Sequence, residues 1–220
     1  KGGSGIWFNN YLFFLSVAQQ TNPSKLWGIL NNKYVISDKE INIDGLKLID
    51  KFNECDDCII WEAYGPYLYE NLNFMPRAYF TDKSILIFGN EETTQFIYTL
   101  IADPSFDPKK SVIIKNNKEL NQYTVEELSK HSAIILTTQP TNNELEKLKN
   151  YVENGGKILP DLFNNKNNID SEDLISIFQN TSSNYQEIEI TNYENNQASY
   201  NVKNKKGFLI LSERFSNFPG

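Results

Sequence analysis

Four short apolar runs, SILIF at 84–88, SVIIK at 111–115, AIILT at 133–137 and KILPDL at 157–162, constrain this chain more than anything else in it. Each is too short for a helix and too continuously apolar for a strand with one face in water. Between them lie segments with helical spacing, over 91–101, 124–130 and 141–154, and a further one follows at 171–178. Buried strands alternating with amphipathic helices predict a parallel sheet covered on both faces. The helix at 141–154 is the most sharply marked. Thr141 stands at the N-cap, Glu144 three residues on completes a capping box, Leu145, Leu148 and Val152 form the inner stripe, and Gly155-Gly156 ends it. Thr124 and Glu127 repeat the same box one helix earlier.

On either side the pattern changes. Residues 33–37, 46–52, 58–63, 67–71 and 78–80 alternate apolar and polar positions between Asn, Asp and Gly punctuation, as do 186–191, 198–202 and 207–212. Alternation of period two predicts antiparallel sheet. Helical spacing recurs before these strands, over 11–20 and 24–30, with Pro23 between the two segments and Ser24 as the expected cap of the second. The expected fold class is therefore α/β plus β: a mainly parallel sheet of four or more strands with flanking helices, inserted between antiparallel β-rich segments. The expected division is a helical and β-rich part at 1–82, an α/β domain at 83–182, and strands at 183–220 that pack with the first part. The last residues, LILSERFSNFPG, run a strand pattern into a Pro-Gly turn with nothing after it to pair with, and lead us to expect a piece of a larger protein.

Composition narrows the partners. With 40% hydrophobic and 22% charged residues the chain is too apolar for disorder, and 220 residues suffice to bury a core. A net charge of −7 opposes binding to nucleic acid or to an anionic membrane surface, since both need a basic face. No run of 18 apolar residues is present, and no basic segment leads into an apolar one ending at a cleavage site.

Four constellations bear on chemistry. Cys55 and Cys58 bracket two aspartates, which oppose thiolate formation. The pair is expected to be a structural disulfide or two free thiols, and zinc would lack ligands because His131 is the lone histidine. Phe88-Gly89-Asn90-Glu91-Glu92 occupies the position of a phosphate loop, but it has one glycine and two acids that complement the helix dipole themselves. No nucleotide and no other cofactor is expected. Carboxylates are plentiful, including Asp38, Glu40, Glu62, Glu70, Asp161, Asp170 and Glu213, and a glycoside hydrolase would need two of them facing across a cleft. Asn180-Thr181-Ser182 is a glycosylation sequon, meaningful on an extracytoplasmic surface.

Two resemblances add to this reading. Tyr151-Val152-Glu153-Asn154-Gly155-Gly156-Lys157-Ile158-Leu159 resembles the helix–Gly-Gly–strand unit of glutamine-amidotransferase-like domains. Active members carry a cysteine at a strand-to-helix elbow, whereas the comparable turn here reads Thr138-Gln139-Pro140. The resemblance implies that fold without its catalysis, and His131 is then read as a cap at a helix C-terminus. The second resemblance rests on three islands: Lys33-Tyr34-Val35-Ile36, then Tyr69-Glu70-Asn71-Leu72-Asn73-Phe74-Met75-Pro76-Arg77-Ala78, then Ser212-Glu213 through Pro219-Gly220. They resemble the soluble C-terminal portion of YfhO-type multispanning membrane proteins and their glycosyltransferase-C-like relatives, with the phrases YEN-x-N-x-x-PRA and SE-x-x-x-PGW. This resemblance implies an extracytoplasmic domain at the cell membrane, anchored through the parent chain. It further implies a glycan or lipid-linked sugar as partner and a catalytic centre in an N-terminal part that these residues do not include. No catalytic residue is carried over. Glu62, Tyr64, Tyr67, Arg77 and Glu213 are the candidate ligand-binding residues, because aromatic platforms beside charged hydrogen-bonding groups suit sugars. The rival readings are a structural or protein-interaction domain with no ligand and a carboxylate-dependent glycoside hydrolase.

Overall fold

The computed structural model describes residues 16, 21–52, 66–90, 93–160, 169, 171–179, 183–194, 197–203 and 206–211. They form two units, one running to Arg77 and the other from Ala78 to Ile210. No helix among the described residues is long and apolar enough to cross a membrane.

The first unit opens with α1 (Pro23–Ile29) and continues through strands β1 (Tyr34–Ser37), β2 (Leu46–Lys51) and β3 (Tyr67–Asn71). Asn22, not Ser24, caps α1: its Oδ1 accepts from the Lys25 amide at 3.1 Å, with Pro23 at the first helical position. Proline has no N–H and a preset φ, which suits that first position and leaves the cap to the residue before it. Ser24 is thereby turned inward and fully buried. The three strands form an antiparallel sheet in the order β1-β3-β2, so β3 is central. Its side chains alternate, with Tyr67, Tyr69 and Asn71 buried and Leu68 and Glu70 partly exposed.

The second unit contains β4 (Ala78–Thr81), β5 (Ser84–Phe88), α2 (Thr93–Ala102), β6 (Val112–Lys115), a 3-10 turn at Leu120–Gln122, α3 (Val125–Leu128) and β7 (Ala133–Leu136). It continues with α4 (Asn142–Glu153), β8 (Lys157–Leu159), α5 (Ser171–Gln179), β9 (Gln186–Glu187), β10 (Ile190–Glu194), β11 (Gln197–Tyr200) and β12 (Phe208–Leu211). Strands β5 to β8 make a four-stranded parallel sheet in the order β6-β5-β7-β8. All five residues of β5 and all four of β7 are buried, as continuous apolar runs require.

Period two divides the core between the two sheet faces. Leu86, Phe88, Ile134, Leu136 and Ile158 pack with Leu120, Tyr123, Leu128, Leu148 and Tyr151 on the side of α3 and α4. Ile85, Ile87, Ala133, Ile135 and Leu159 pack with Leu100, Phe106, Ile177 and Phe178 on the side of α2 and α5. Each layer is fastened by an edge-to-face aromatic pair, Phe88 with Tyr123 and Phe106 with Phe178. The described chain is thus mixed α/β, a parallel sheet flanked by helices, accompanied by antiparallel sheets.

Two expectations change in detail. The inner stripe of α4 runs through Leu148 and Tyr151, while Val152 is 36% exposed. Tyr151 wins that position because Gly156 makes room for it: a Cβ at Gly156 would stand 2.2 Å from the Tyr151 ring. Gly155 turns the chain at φ +88, so the two glycines serve different ends. The expected strand over 186–191 is two strands, with Ile188 buried between them. Gln186–Glu187 pairs with β4, and Ile190–Glu194 pairs with β11. β4 lies between β9 and β12, and Gly207, at φ +144, lets the chain pass Phe80: a Cβ there would come within 2.3 Å of the ring. The helix expected over 11–20, apart from Ser16, and the strand expected over 58–63 lie outside the described residues.

Candidate functional site

In a parallel sheet of this order, ligands bind beyond the carboxyl ends of the two strands where the winding reverses. Here those strands are β5 and β7, and the crevice lies between Phe88-Gly89 and Thr137. The chain's own groups bond to one another along its rim, while Asn90 and Thr137 remain exposed. The Thr137 amide and hydroxyl both donate to the Phe88 carbonyl, at 2.9 and 3.0 Å. Since that uses the single Thr137 hydroxyl proton, Thr93 donates to Thr137 Oγ1, at 3.0 Å. A Cβ at Gly89 would lie 1.8 Å from the Thr137 hydroxyl and 2.1 Å from that of Thr93. No side chain fits at this elbow, and neither of the two turns offers a cysteine. Lys115, at the end of β6, donates to Thr94 Oγ1 at 3.1 Å in the first turn of α2.

His131 departs from its expected role. Its side chain does not serve the end of α3 as a cation. Nδ1 instead meets Ser84 Oγ at 2.8 Å, the ring stacks on Phe208 at 5.8 Å between centroids, and the carbonyl accepts from the Tyr151 hydroxyl at 3.0 Å. Burial, then the neighbouring Lys130 charge, holds the imidazole below the usual histidine range. A serine and a histidine in contact suggest nucleophilic chemistry, but Ser84 is 0% exposed and sits at the opposite, amino end of β5. No substrate atom reaches that oxygen, and the pair is a core fastening.

Tyr69, Asn71, Asn73 and Met75 of the Tyr69–Ala78 phrase are engaged within the first unit. Tyr69 is buried, and its hydroxyl accepts from the Ile41 amide at 2.9 Å. Asn71, 2% exposed, donates through Nδ2 to the carbonyls of Ser24 and Asn32 at 2.8 and 3.0 Å, and its Oδ1 accepts from the Asn73 amide at 3.0 Å. Asn73 Nδ2 donates to Ser24 Oγ at 2.8 Å, which in turn donates to the Asp44 carbonyl at 2.5 Å. Asn31 Nδ2 donates to the Met75 carbonyl at 2.7 Å. Gly45, at φ +81, admits the Asn73 amide, and Gly28 lets α1 lie flush on the Asn73 carbonyl. The phrase is an asparagine clasp joining a helix, a strand end and a turn. Nothing in the sequence signalled this, because its three parts are 20 to 50 positions apart.

Of the candidate ligand residues, Tyr67 opens β3 and is 9% exposed, with the Lys51 ammonium 5.1 Å from its ring centroid. Arg77 is exposed, immediately before β4. Glu62, Tyr64, Glu213, Cys55, Cys58 and Asn180 lie outside the described residues. Among the described residues no three His, Cys, Asp or Glu side chains gather as metal ligands. Glu127 is the described carboxylate with a displaced pKa, lowered to about 2 by Lys118 at 2.8 Å and by the Thr124 amide it caps. No family model, no curated protein and no solved structure matches this chain.

Proposed function

We propose that this chain is a non-catalytic extracytoplasmic domain of a multispanning, glycosyltransferase-like membrane protein of the YfhO type, serving in glycan binding or scaffolding at the cell surface. The observation that carries the non-catalytic part is the make-up of the two elbows at that crevice. Beyond the ends of β5 and β7, where a sheet of this order holds its ligand, neither turn offers a cysteine, and the Thr93 and Thr137 hydroxyls are engaged with each other and with the Phe88 carbonyl. The hydrolase alternative needs a carboxyl group held protonated. Glu127 is displaced in the opposite direction, by capping and by Lys118, and so lends it no support. The membrane and glycan parts of the reading rest on the three islands of resemblance. In one of these, the Tyr69–Ala78 phrase, the structural clasp accounts for why those residue types are needed.

Two experiments test the reading. A cysteine placed at exposed Glu153 in the full-length parent, with Cys55 and Cys58 replaced by serine, should react with an impermeant maleimide on intact cells. Labelling only after permeabilisation would refute the extracytoplasmic location. A glycan array, followed by assays on nitrophenyl glycosides, should show millimolar binding without turnover, and turnover by the purified chain would refute the non-catalytic reading.

A further inference from the structure

We propose that the outward face of the β1-β3-β2 sheet is a binding platform for a neutral pyranose sugar, with Tyr34 stacking on the ring and Glu70 and Lys47 engaging its hydroxyls. The inference rests on the glycan-binding reading above and gives it a location that the sequence did not suggest.

The argument begins with register. Tyr34 stands opposite Glu70, and Glu70 opposite Lys47. Residues directly opposed across an antiparallel ladder share a face, so an aromatic ring, a carboxylate and an ammonium form one row across three strands. At about 4.8 Å per strand the row is about 10 Å long. The next row on the same face is Ile36, Leu68 and Asp50. The other face takes the buried Tyr67 and Tyr69 of the central strand. The outward face leaves Tyr34 55% and Ile36 65% exposed.

The polar groups of the row are uncommitted. Among the described residues neither the Glu70 nor the Lys47 side chain makes a hydrogen bond or ion pair. The Lys33 ammonium lies over the Tyr34 ring at 5.4 Å from its centroid, and over that of Phe74 at 5.8 Å, so the sugar would stack on the opposite face of Tyr34. A sugar ring has an apolar face of C–H groups, which an aromatic ring accepts, and an edge of hydroxyls. Those hydroxyls donate to a carboxylate and accept from an ammonium. The row supplies all three.

A protein partner fits less well. The cores of protein interfaces are depleted of charge, and here a carboxylate stands on the central strand, in the middle of the row. An anionic ligand fits less well still, with Glu70 central and the chain at a net −7.

The test titrates the ¹⁵N-labelled chain with methyl α-glucopyranoside, methyl β-galactopyranoside and N-acetylglucosamine. The expected result is millimolar binding by at least one of them, with amide shifts centred on residues 34, 36, 47, 68 and 70. Tyr34→Ala should weaken it about tenfold, Tyr34→Phe should leave it nearly unchanged, and Glu70→Gln should weaken it severalfold. Unperturbed clasp amides at 71 and 73 certify the fold of each variant. If Tyr34→Ala fails to fold, the comparison of Tyr34→Phe with Glu70→Gln, both close to isosteric, decides. Shifts centred elsewhere, or loss of binding in Tyr34→Phe equal to that in Glu70→Gln, overturn this platform and leave the glycan reading standing. Shifts with none of the three sugars overturn the platform, and silence on the glycan array as well overturns both. Concentration-dependent shifts of the same amides without sugar also overturn it, marking the face as a contact between copies of the chain.

Discussion

Replacing Asn71 tests whether the Tyr69–Ala78 phrase is an internal clasp. In Asn71→Ala the carbonyls of Ser24 and Asn32 lose their donor and the Asn73 amide loses its acceptor, at a position 2% exposed. A net contribution of about 1 kcal/mol per hydrogen bond gives a loss of about 3 kcal/mol, on the order of a hundredfold in the unfolding equilibrium. Water entering the gap would offset part of this, so about 2 kcal/mol is the lower expectation. Asn71→Asp sharpens the reasoning. Its carboxylate still accepts from the Asn73 amide but faces two carbonyl oxygens, where the wild-type amide stands 2.8 and 3.0 Å from them. It should destabilise at least as much as alanine at neutral pH and recover partly in acid, where the carboxyl is protonated and donates. The assay is urea unfolding followed by fluorescence in a Trp7→Phe, Trp61→Phe background. This leaves half-buried Trp27, on α1 beside the clasp, as reporter. A slope unchanged from the parent background shows that the same transition is read. Asn71→Ala within about 0.5 kcal/mol of that background would refute the clasp, since surface positions away from such features vary by that amount.

Three further predictions concern the second unit. Gly89→Ala drives a methyl group into the hydroxyls of Thr93 and Thr137 and should cost about 1–3 kcal/mol; adding Thr137→Ala should return part of it, as thermal melting of the two variants would show. His131, the lone histidine, should give one imidazole resonance that titrates below the ordinary 6.5, because burial and Lys130 disfavour its charged form. The unfolded state then binds the extra proton first, so this contribution to stability is complete above pH 6.5 and is lost as pH falls from there to the folded pKa; the dependence should vanish in His131→Gln. Glu127, lowered to about 2, contributes stability present above pH 4.5 and lost between there and pH 2. Thr124→Ala should destabilise α3 by removing the acceptor of the Glu127 amide, and Lys118→Ala should raise the Glu127 pKa, measured by carboxyl NMR.

Much of the fold was legible because it is written locally. The strands 84–88 and 133–137 are recognisable from five consecutive residues each, and the boxes Thr124–Glu127 and Thr141–Glu144 from four. Such features depend on neighbours in sequence, so pattern reading reaches them. It did less well where two local options were close in energy. Tyr151 and Val152 are both apolar and a single step apart on the helix, and only the space above Gly156 selects the tyrosine. Ser24 and Asn22 are both good caps, and the demand for Ser24 by Asn73, 49 positions away, reinforces the choice. His131 read as a helix cap because its true partners, Ser84 and Phe208, are distant in sequence.

By itself, then, the sequence determined the α/β and antiparallel segments, the caps of α3 and α4, and the absence of a cysteine from the elbows, since composition and short periodicities carry all of these. Tertiary structure alone decided what the polar residues do. It spent Asn71, Asn73 and Ser24 on an internal clasp and Thr93 and Thr137 on a hydrogen bond between α2 and the end of β7. By strand register it also aligned Tyr34, Glu70 and Lys47, taken from three separate strands, into a single row. The physical reason is that a hydrogen bond or a shared sheet face requires proximity in space, and for these residues proximity arises only when strands far apart in the chain pair in one register.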